Sequence, residues 1–454
     1  MNGFAFNKID PGLSEIPDDY FIDDYRKITD FKKQTYSGYQ KSDVLSALQK
    51  SIMDGKVEEA CNWAAEMLVS GNLMECWDRI IILNSKLINI GNPCFPFYLW
   101  TRFAQQIQII QEQKYQGERV LTLRNNQECR NHLTDIITIL TLASKNKIKS
   151  LPKITTEDFR LDIFETKLEA KHINLLTNII KPNDPSEVSV VMNEFAYQIK
   201  SGSGNLDKAL YWFNWIMEWE KLNIKRADGF NCAIRTRKYI KPQYYHDIVW
   251  MIWDVIFQEA SIRNDERLNR ELIGLFKLFK YNFTSAGKRK KSPLIVHSLY
   301  LMAYHSHLKW DKLVCENVKI YTQANANTNL LYMEFKKRAK NMFHKKEESL
   351  QVITRNNYLV SDQKVNPNSV SGSTQGKKKD KIGNDVSSRL NLLDQMDKMM
   401  INKNSVANLD GSNIHNLNSV NSISNMNTHN TYNPVSKQYQ STEDVIAQIQ
   451  SLIS

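Results

Sequence analysis

The chain has 454 residues and a mass of 52.8 kDa, enough for two globular domains or for one large domain with a tail. Its formal charge of +11 and pI near 9.1 favour a polyanionic partner but do not establish one. No apolar run reaches the roughly 18 residues of a membrane span, and the first residues lack a signal-peptide pattern. The six cysteines form no C-x-x-C pair. We therefore expect a soluble protein of a reduced, intracellular compartment.

Residues 1–38 predict an arm without regular helices. Pro11, Gly12 and Pro17 interrupt any helix, and aspartates mix with aromatic and aliphatic residues over 18–25. Two interpretations follow. The arm is a strap whose aromatic side chains pack on the helical body, or it is a disordered acidic and aromatic peptide that docks on a basic partner and folds on contact.

Residues 41–100 carry the clearest helical periodicity. Apolar residues recur every three or four positions in three stripes, which begin at Val44, Val57 and Trp77. Each stripe is followed by a helix-ending signal: Asp54-Gly55, Gly71-Asn72 and Gly91-Asn92-Pro93. The pattern predicts a compact helical bundle with short connections.

Similar periodicity predicts helices as far as about residue 345. We expect them at 98–113, 126–144, 158–170, 171–181, 185–200, 211–222, 244–260, 265–283, 292–310, 312–322 and 329–345. A basic, proline-ended connection at 145–152 separates two of these helices. Asp184 is the expected N-cap of the helix that begins at Pro185, with Glu187 three positions on. We expect the tryptophans of 211–222 and 244–260 in the core, because they fall at helical spacing.

The chain also contains a short internal similarity. Gly55-Lys-Val-Glu-Glu-Ala-Cys-Asn-Trp63 parallels Gly204-Asn-Leu-Asp-Lys-Ala-Leu-Tyr-Trp212. In both, a glycine precedes a helix whose first turn is acidic, which complements the helix dipole. Coincidence and duplication of a helical hairpin both account for two copies of nine residues.

Beyond residue 347 the composition becomes rich in Asn and Ser, which predicts a largely disordered tail at 348–454. Two short amphipathic segments interrupt it, at 386–401 and 442–453. Helices of this length are marginal alone, so we expect each to dock its apolar face on a partner or on the body.

The sequence contains no recognisable catalytic or cofactor motif. Phosphate-binding loops, H-E-x-x-H and G-x-S-x-G are missing, and glycine is only 16 of 454 residues. His297, His305 and His307 form the one histidine cluster, and we expect them to be structural. We predict no enzymatic activity, no cofactor, no metal and no small-molecule substrate, although distant helices could still assemble a site.

Several basic clusters are candidates for contact with DNA or RNA. If they share a face, they form a polyanion-binding surface whose affinity falls with salt; otherwise they are solubilising charge or a nuclear-import patch. The cluster at 288–291 is expected in a loop. The candidate nucleic-acid-binding residues are Arg235, Arg237, Lys238, Lys288, Arg289, Lys290, Lys291, Lys336, Lys337 and Arg338.

Residues 41–93 resemble the helical domain that follows the ATPase module in clamp-loader-related ATPases of the MgsA/RarA type. The matching positions are Ala47, Leu48, Lys50, Ser51, Ile52, Gly55, Ala60, Trp63, Ala64, Met67, Leu68, Gly71 and the Asn89–Pro93 segment. The resemblance implies an all-helical module that oligomerises. It covers about 55 residues without the ATPase module, so ATP hydrolysis is not implied. The Asn-rich, Lys-rich composition is also similar to that of proteins of nucleocytoplasmic large DNA viruses.

These observations predict an all-α protein, a multi-helix bundle of helical hairpins with a disordered N-terminal arm and C-terminal tail. The expected divisions are 1–38, 39–150, 151–347 and 348–454. The first hypothesis is a non-enzymatic interaction or assembly protein that self-associates or binds protein partners. A viral replication or virion factor, located in host cytoplasm, nucleus or virion, is one form of this hypothesis. The alternative is a nucleic-acid-binding accessory protein of DNA replication or repair. The candidate protein-interaction residues are Leu48, Trp63, Met67, Leu390, Leu393, Met396, Val445, Ile449 and Leu452.

Overall fold

The structure, a computed structural model, describes most of the body of the chain. The described residues are 16, 18–112, 117–172, 175–176, 178–202, 204–224, 231–310 and 314–337. Within them the fold is all-α, as predicted, and the one β pairing is an isolated bridge between Gln34 and Gln40. The predicted tail at 348–454 lies outside these residues.

Helices follow one another along the described chain with short connections. They are α1 (Lys41–Met53), α2 (Val57–Val69), α3 (Leu73–Leu83), α4 (Phe95–Glu112), α5 (Gln127–Leu142), α6 (Leu161–Thr166), α7 (Ser186–Ile199), α8 (Leu206–Asn223), α9 (Val249–Arg263), α10 (Glu266–Lys280), α11 (Lys288–Tyr304) and α12 (Val318–Ala326). A π-helix at Asn84–Ile88 follows α3, and residues 328–337 are helical after α12.

Two compact units alternate along the chain. Unit 1 comprises the described residues up to Leu83, Arg102–Ala143 and the described residues from Asn317 onward. Unit 2 comprises Asn84–Thr101 and Ser144–Glu316. The predicted division at residue 150 lies near one of the four crossings. The other three were missed because they fall within or beside helical periodicity rather than in a linker-like composition.

Unit 1 is built around the hairpin of α1 and α2. Gly55 closes the turn at a φ of +71°, a conformation that glycine adopts without strain. Leu48 of α1 and Met67 of α2 are fully buried. Helix α2 also packs on α5, where the Cys61 sulfur lies 3.7 Å from the Thr138 hydroxyl. The apolar stripes predicted for α1 and α2 are therefore core faces.

Residues 18–38 form a strap, packed on unit 1. The Ile22 N–H donates to Asn125 Oδ1 at 2.9 Å, and Asn125 Nδ2 donates back to the Ile22 carbonyl at 2.8 Å. Tyr36 is fully buried, and its hydroxyl donates to the Phe335 carbonyl at 3.0 Å. The backbone hydrogen bonds and the buried rings of Phe31 and Tyr36 agree with the packed-strap interpretation, whereas Phe21 and Tyr25 are each 41% exposed.

Unit 2 is built around α7, α8, α9, α10 and α11. Trp212, Trp250 and Trp253 are buried, and the Trp253 ring centroid lies 5.0 Å from that of Phe276. The aromatic stripes are thus core, as predicted. Gly274 permits α10 to approach the start of α4, because a Cβ there would lie 2.7 Å from the Phe97 nitrogen.

Two predicted helices of unit 2 are wrong in extent. In place of a helix at 158–170 the structure has a 3₁₀ turn at Thr156–Phe159 and the short α6, and the described part of 171–181 forms turns. Side chains of α7 accept hydrogen bonds from backbone N–H groups that would bond within the helix if the predicted helices were formed in full. Glu194 accepts from the N–H groups of Glu169 and Ala170 at 3.0 and 2.9 Å, and Asn193 accepts from that of Leu175 at 3.0 Å.

The predicted N-cap of α7 is also wrong. Pro185 occupies the cap position of α7 and supplies no side-chain hydrogen bond. Asp184 instead accepts from the Arg235 guanidinium and from the N–H of Ala233. A guanidinium buried away from water needs a paired carboxylate. The free N–H groups at a helix end can instead be satisfied by water, so the lack of a cap costs less.

The two similar nine-residue segments form local structures that differ in detail. Each contains the start of the second helix of a hairpin, α1–α2 or α7–α8, and Ala60 and Ala209 are both buried. Gly55 is required for its positive φ, whereas Gly204 is required because a Cβ would lie 2.5 Å from the Gln198 carbonyl oxygen. Duplication of a hairpin therefore stays a prediction.

Candidate functional site: the basic and aromatic surfaces

The two arginines of the 235–241 run are buried. Arg235 is 2% exposed and donates to both carboxylate oxygens of Asp184 at 2.9 and 2.7 Å. Arg237 is buried and forms an ion pair with Asp254. Cations removed from water require such partners. The prediction that Arg235 and Arg237 contact nucleic acid is not supported by their positions, whereas Lys238 is exposed beside the Tyr239 ring.

The 288–291 run is not a loop, as the sequence suggested, but the first turn of α11. Lys288 is 6% exposed, and its ammonium donates to Asp247 at 2.9 and 3.0 Å and also contacts Glu220. Positive charge at a helix N-terminus opposes the macrodipole, so these two carboxylates stabilise the start of α11 as well as the ammonium. Lys288 therefore cannot contribute to an exposed basic face.

The rest of the 288–291 run is largely engaged within unit 2. Arg289 donates to Glu218 at 2.6 Å and to the Met217 carbonyl at 2.8 Å. Lys291 donates to the Phe279 carbonyl at 3.1 Å and to the Tyr281 carbonyl, at the C-terminal end of α10. Ammonium groups at this end of a helix satisfy its last carbonyls. Lys290 is exposed and stays a candidate.

The basic residues near 336 belong to unit 1. Lys336 donates to the Asp18 carbonyl of the strap, and Lys337 forms an exposed ion pair with Glu334 at 2.8 Å. Arg338 lies outside the described residues. The structure therefore leaves few of the predicted cations available to a polyanion.

The predicted protein-interaction residues also separate into buried and accessible ones. Leu48 and Met67 are core residues and cannot contact a partner. Trp63 is half-buried on α2, and Tyr39, which is 47% exposed, meets its ring edge-to-face at a centroid distance of 5.6 Å. We call this pair the Tyr39–Trp63 edge. The remaining candidates lie outside the described residues: Leu390, Leu393, Met396, Val445, Ile449 and Leu452.

A row of exposed lysines, which the sequence showed only as a basic connection, follows α5 in unit 2. Lys145, Lys147 and Lys149 are exposed, whereas the intervening Asn146 and Ile148 are half-buried. This alternation is that of an extended chain, whose side chains point to opposite sides in turn. We call these three residues, together with the exposed Lys86, the lysine row.

The π-helix holds the lysine row in place. The Leu87 carbonyl accepts from the Asn146 N–H at 2.8 Å, and the Lys86 carbonyl accepts from the Ile148 N–H at 3.1 Å. In a continuing α-helix these carbonyls would bond to residues four positions on. The Gly91 Cα lies so close to the Ser144 carbonyl that a Cβ would be 2.2 Å from its oxygen.

Two tyrosines of α11 lie beside the lysine row. The Tyr300 hydroxyl accepts from the Lys149 N–H at 2.9 Å, and the Tyr300 and Tyr304 ring centroids are 6.0 Å apart. Tyr304 is 38% exposed. Lys149 also pairs with Asp207 at 2.7 Å, between two well-exposed side chains.

A neutral polar cluster lies behind the lysine row. His297 is fully buried, its Nδ1 is 3.3 Å from the Ser85 hydroxyl, and desolvation lowers its pKa to about 3. The side-chain amides of Asn84 and Asn89 are buried and make no hydrogen bond to described residues. Asn89 has a φ of +47°, a position the sequence did not reveal. At neutral pH this cluster is uncharged.

The thiols show the same lack of charge. Cys61, Cys76, Cys129 and Cys232 are buried, and desolvation raises the pKa of each to about 12. They are therefore protonated and poorly nucleophilic at neutral pH. Among the described residues no group of three or more His, Cys, Asp or Glu side chains is arranged to hold a metal ion.

The comparisons with known proteins return no relative of this chain: no family model, curated protein or solved structure matches it. The resemblance of residues 41–93 to MgsA/RarA-type ATPases therefore stays a prediction. In the part of the chain that the structure describes, every helix is too short or too polar to cross a membrane. Within the described residues the fold is all-α, and its accessible surfaces include the Tyr39–Trp63 edge and the lysine row.

Proposed function

We propose that the protein is a non-enzymatic helical interaction protein that self-associates through the α1–α2 hairpin. The observation that carries the proposal is the Tyr39–Trp63 edge, a partly exposed aromatic pair formed by Trp63 of α2 and by Tyr39 just before α1. Aromatic side chains of this kind supply much of the binding energy at protein interfaces. The family that residues 41–93 resemble oligomerises through its helical domain, which supports the same choice.

The non-enzymatic part of the proposal rests on how the reactive side chains are used. Lys288 and Arg235 form buried ion pairs, and the raised pKa values of Cys61, Cys76, Cys129 and Cys232 keep these buried thiols protonated. Catalysis would need such groups in a cleft with access to substrate. Nucleotide hydrolysis by the purified chain would contradict this part of the proposal.

Self-association is tested by measuring molar mass by light scattering over a range of protein concentrations. We expect the wild-type mass to rise with concentration and the Tyr39→Glu variant to remain monomeric, because a charge placed in an apolar contact is costly to desolvate. Leu161→Glu is the matched control, since Leu161 is 70% exposed in unit 2. A wild-type monomer, or equal association of both variants, would refute the proposal.

A nucleic-acid-binding accessory protein is the second candidate. The lysine row favours it, in place of the predicted basic runs whose main cations are buried. The association of either function with viral replication or virions stays a prediction.

A further inference from the structure

We propose that the lysine row and Tyr304 together form a binding site for single-stranded nucleic acid. The proposal rests on the second candidate function and deepens it, because it names the residues and the kind of strand. Neither feature belongs to the basic clusters from which nucleic-acid binding was predicted.

The geometry of the row suits a linear polyanion. Alternate residues of an extended chain are about 6.5 Å apart, so Lys145, Lys147 and Lys149 present their charges along a line. Hydrogen bonds from Asn146 and Ile148 to the π-helix carbonyls fix this backbone before any ligand arrives. A preorganised row loses little conformational entropy on binding.

The ion pair of Lys149 is open to exchange. Lys149 pairs with Asp207 while both side chains remain more than half exposed. Exposed pairs of this kind are weak, so a phosphate can take the place of Asp207. This contrasts with Lys288, whose two carboxylate partners are buried with it.

Tyr304 adds an aromatic ring, on which a base can stack, to the positive charge of the lysine row. Its ring is partly exposed and lies against Tyr300, whose hydroxyl accepts from the Lys149 N–H at 2.9 Å. Sites for single strands combine a basic track with aromatic rings on which unpaired bases stack. A duplex keeps its bases stacked internally, and an acidic peptide or an anionic membrane offers no base, so Tyr304 selects for a single strand.

The test is binding of the full chain to a fluorescent thymidine oligonucleotide about 16 nucleotides long, near the upper span of single-strand-binding domains. It compares Lys145→Glu/Lys147→Glu with the control Lys171→Glu/Lys200→Glu, which changes net charge equally at exposed positions of unit 2 outside the candidate basic clusters. Thermal unfolding of each variant checks that the fold is kept. Duplex DNA, polyglutamate and anionic vesicles serve as competitors.

We expect the row variant to weaken the Kd about tenfold or more and to reduce the salt dependence of binding, while the control stays close to wild type. Tyr304→Ser should weaken binding about tenfold, and Tyr304→Phe should restore it, because stacking needs the ring and not the hydroxyl. The single strand should displace the probe better than the three competitors.

Three results would overturn the proposal. Equal weakening in the row variant and the control would mean that net charge alone acts, leaving the second candidate function standing without this site. Polyglutamate, duplex or vesicles competing as well as the single strand would remove the base-stacking role. Absence of binding by the wild type at low salt would end both the proposal and the second candidate function.

Discussion

Unit 2 contains two lysine-rich runs, 145–149 and 288–291, that look alike in the sequence. They differ in the structure in how far their lysine side chains are exposed. The second begins α11, where Lys288 is buried between Asp247 and Glu220. The first lies outside any helix and keeps its lysines exposed. The density of charge is similar, so what separates the runs is the neighbouring structure.

The physical reason is the location of complementary groups. Helices α8 and α10 bring carboxylates and C-terminal carbonyls to the start of α11, and these satisfy Lys288, Arg289 and Lys291. The segment after α5 is held through backbone hydrogen bonds of Asn146 and Ile148 instead, and its lysine side chains are exposed. A run of lysines that is anchored by its backbone is therefore the better candidate for binding than one anchored by its side chains.

The largest expected effect is on the buried run. Replacing Lys288 with alanine leaves Glu220 and Asp247 buried without their cation, so we expect a loss of about 3–5 kcal/mol in the free energy of unfolding. Chemical denaturation measures it. Lys290→Ala, in the same run but exposed, should change stability by less than about 0.5 kcal/mol. Equal effects of the two substitutions would contradict the conclusion that Lys288 stabilises the fold through its buried ion pairs.

A smaller effect is expected where the exposed run is anchored. Gly91→Ala places a methyl group 2.2 Å from the Ser144 carbonyl oxygen, which forces the segment away from the π-helix. We expect a destabilisation of about 1–3 kcal/mol, as for other overpacked sites, together with weaker oligonucleotide binding. Ser150→Ala, at an exposed position of the same segment, is the control. Unchanged binding in a destabilised Gly91→Ala variant would show that anchoring of the row is unimportant.

The smallest effect concerns pH. Desolvation lowers the pKa of Lys145 to about 8, below the usual range of a lysine. A phosphate favours the protonated form, so binding takes up a proton near pH 8 and the affinity falls as the pH rises from 7 to 9, by up to about tenfold. Lys145→Arg should flatten this dependence, because arginine stays charged. A wild-type affinity that is flat over this range would contradict a role for Lys145.

The sequence predicts the positions of several helices and the burial of the tryptophans. Periodicity located α1, α2, α5 and α10 closely, because their apolar stripes are long; α8 begins at Leu206, five residues before the predicted start. It also placed the tryptophan stripes in the core. These predictions depend on residues three or four positions apart, which interact within one helix.

Whether a basic side chain is buried in an ion pair or exposed depends on partners far away in the sequence. Periodicity therefore could not predict it. Lys288 pairs with Glu220, 68 positions away, and Arg235 with Asp184, 51 positions away. The predicted helix at 158–170 is shorter in the structure for the same reason, a distant partner. The Glu194 carboxylate accepts the hydrogen bonds of the Glu169 and Ala170 N–H groups. The π-helix and the positive φ of Asn89 carry no local signal apart from the asparagine itself.

The composition of unit 1 has a consequence for how the protein is made. Tyr36 of the strap bonds to the Phe335 carbonyl, across 299 positions, so this unit cannot be completed until residues near 335 have been synthesised. All residues of unit 2 up to Glu316 leave the ribosome earlier. Domains usually acquire structure from the N-terminus onward during translation. Here the unit that contains the start of the chain is completed last, because the contact of Tyr36 with residue 335 can form only after unit 2 has emerged.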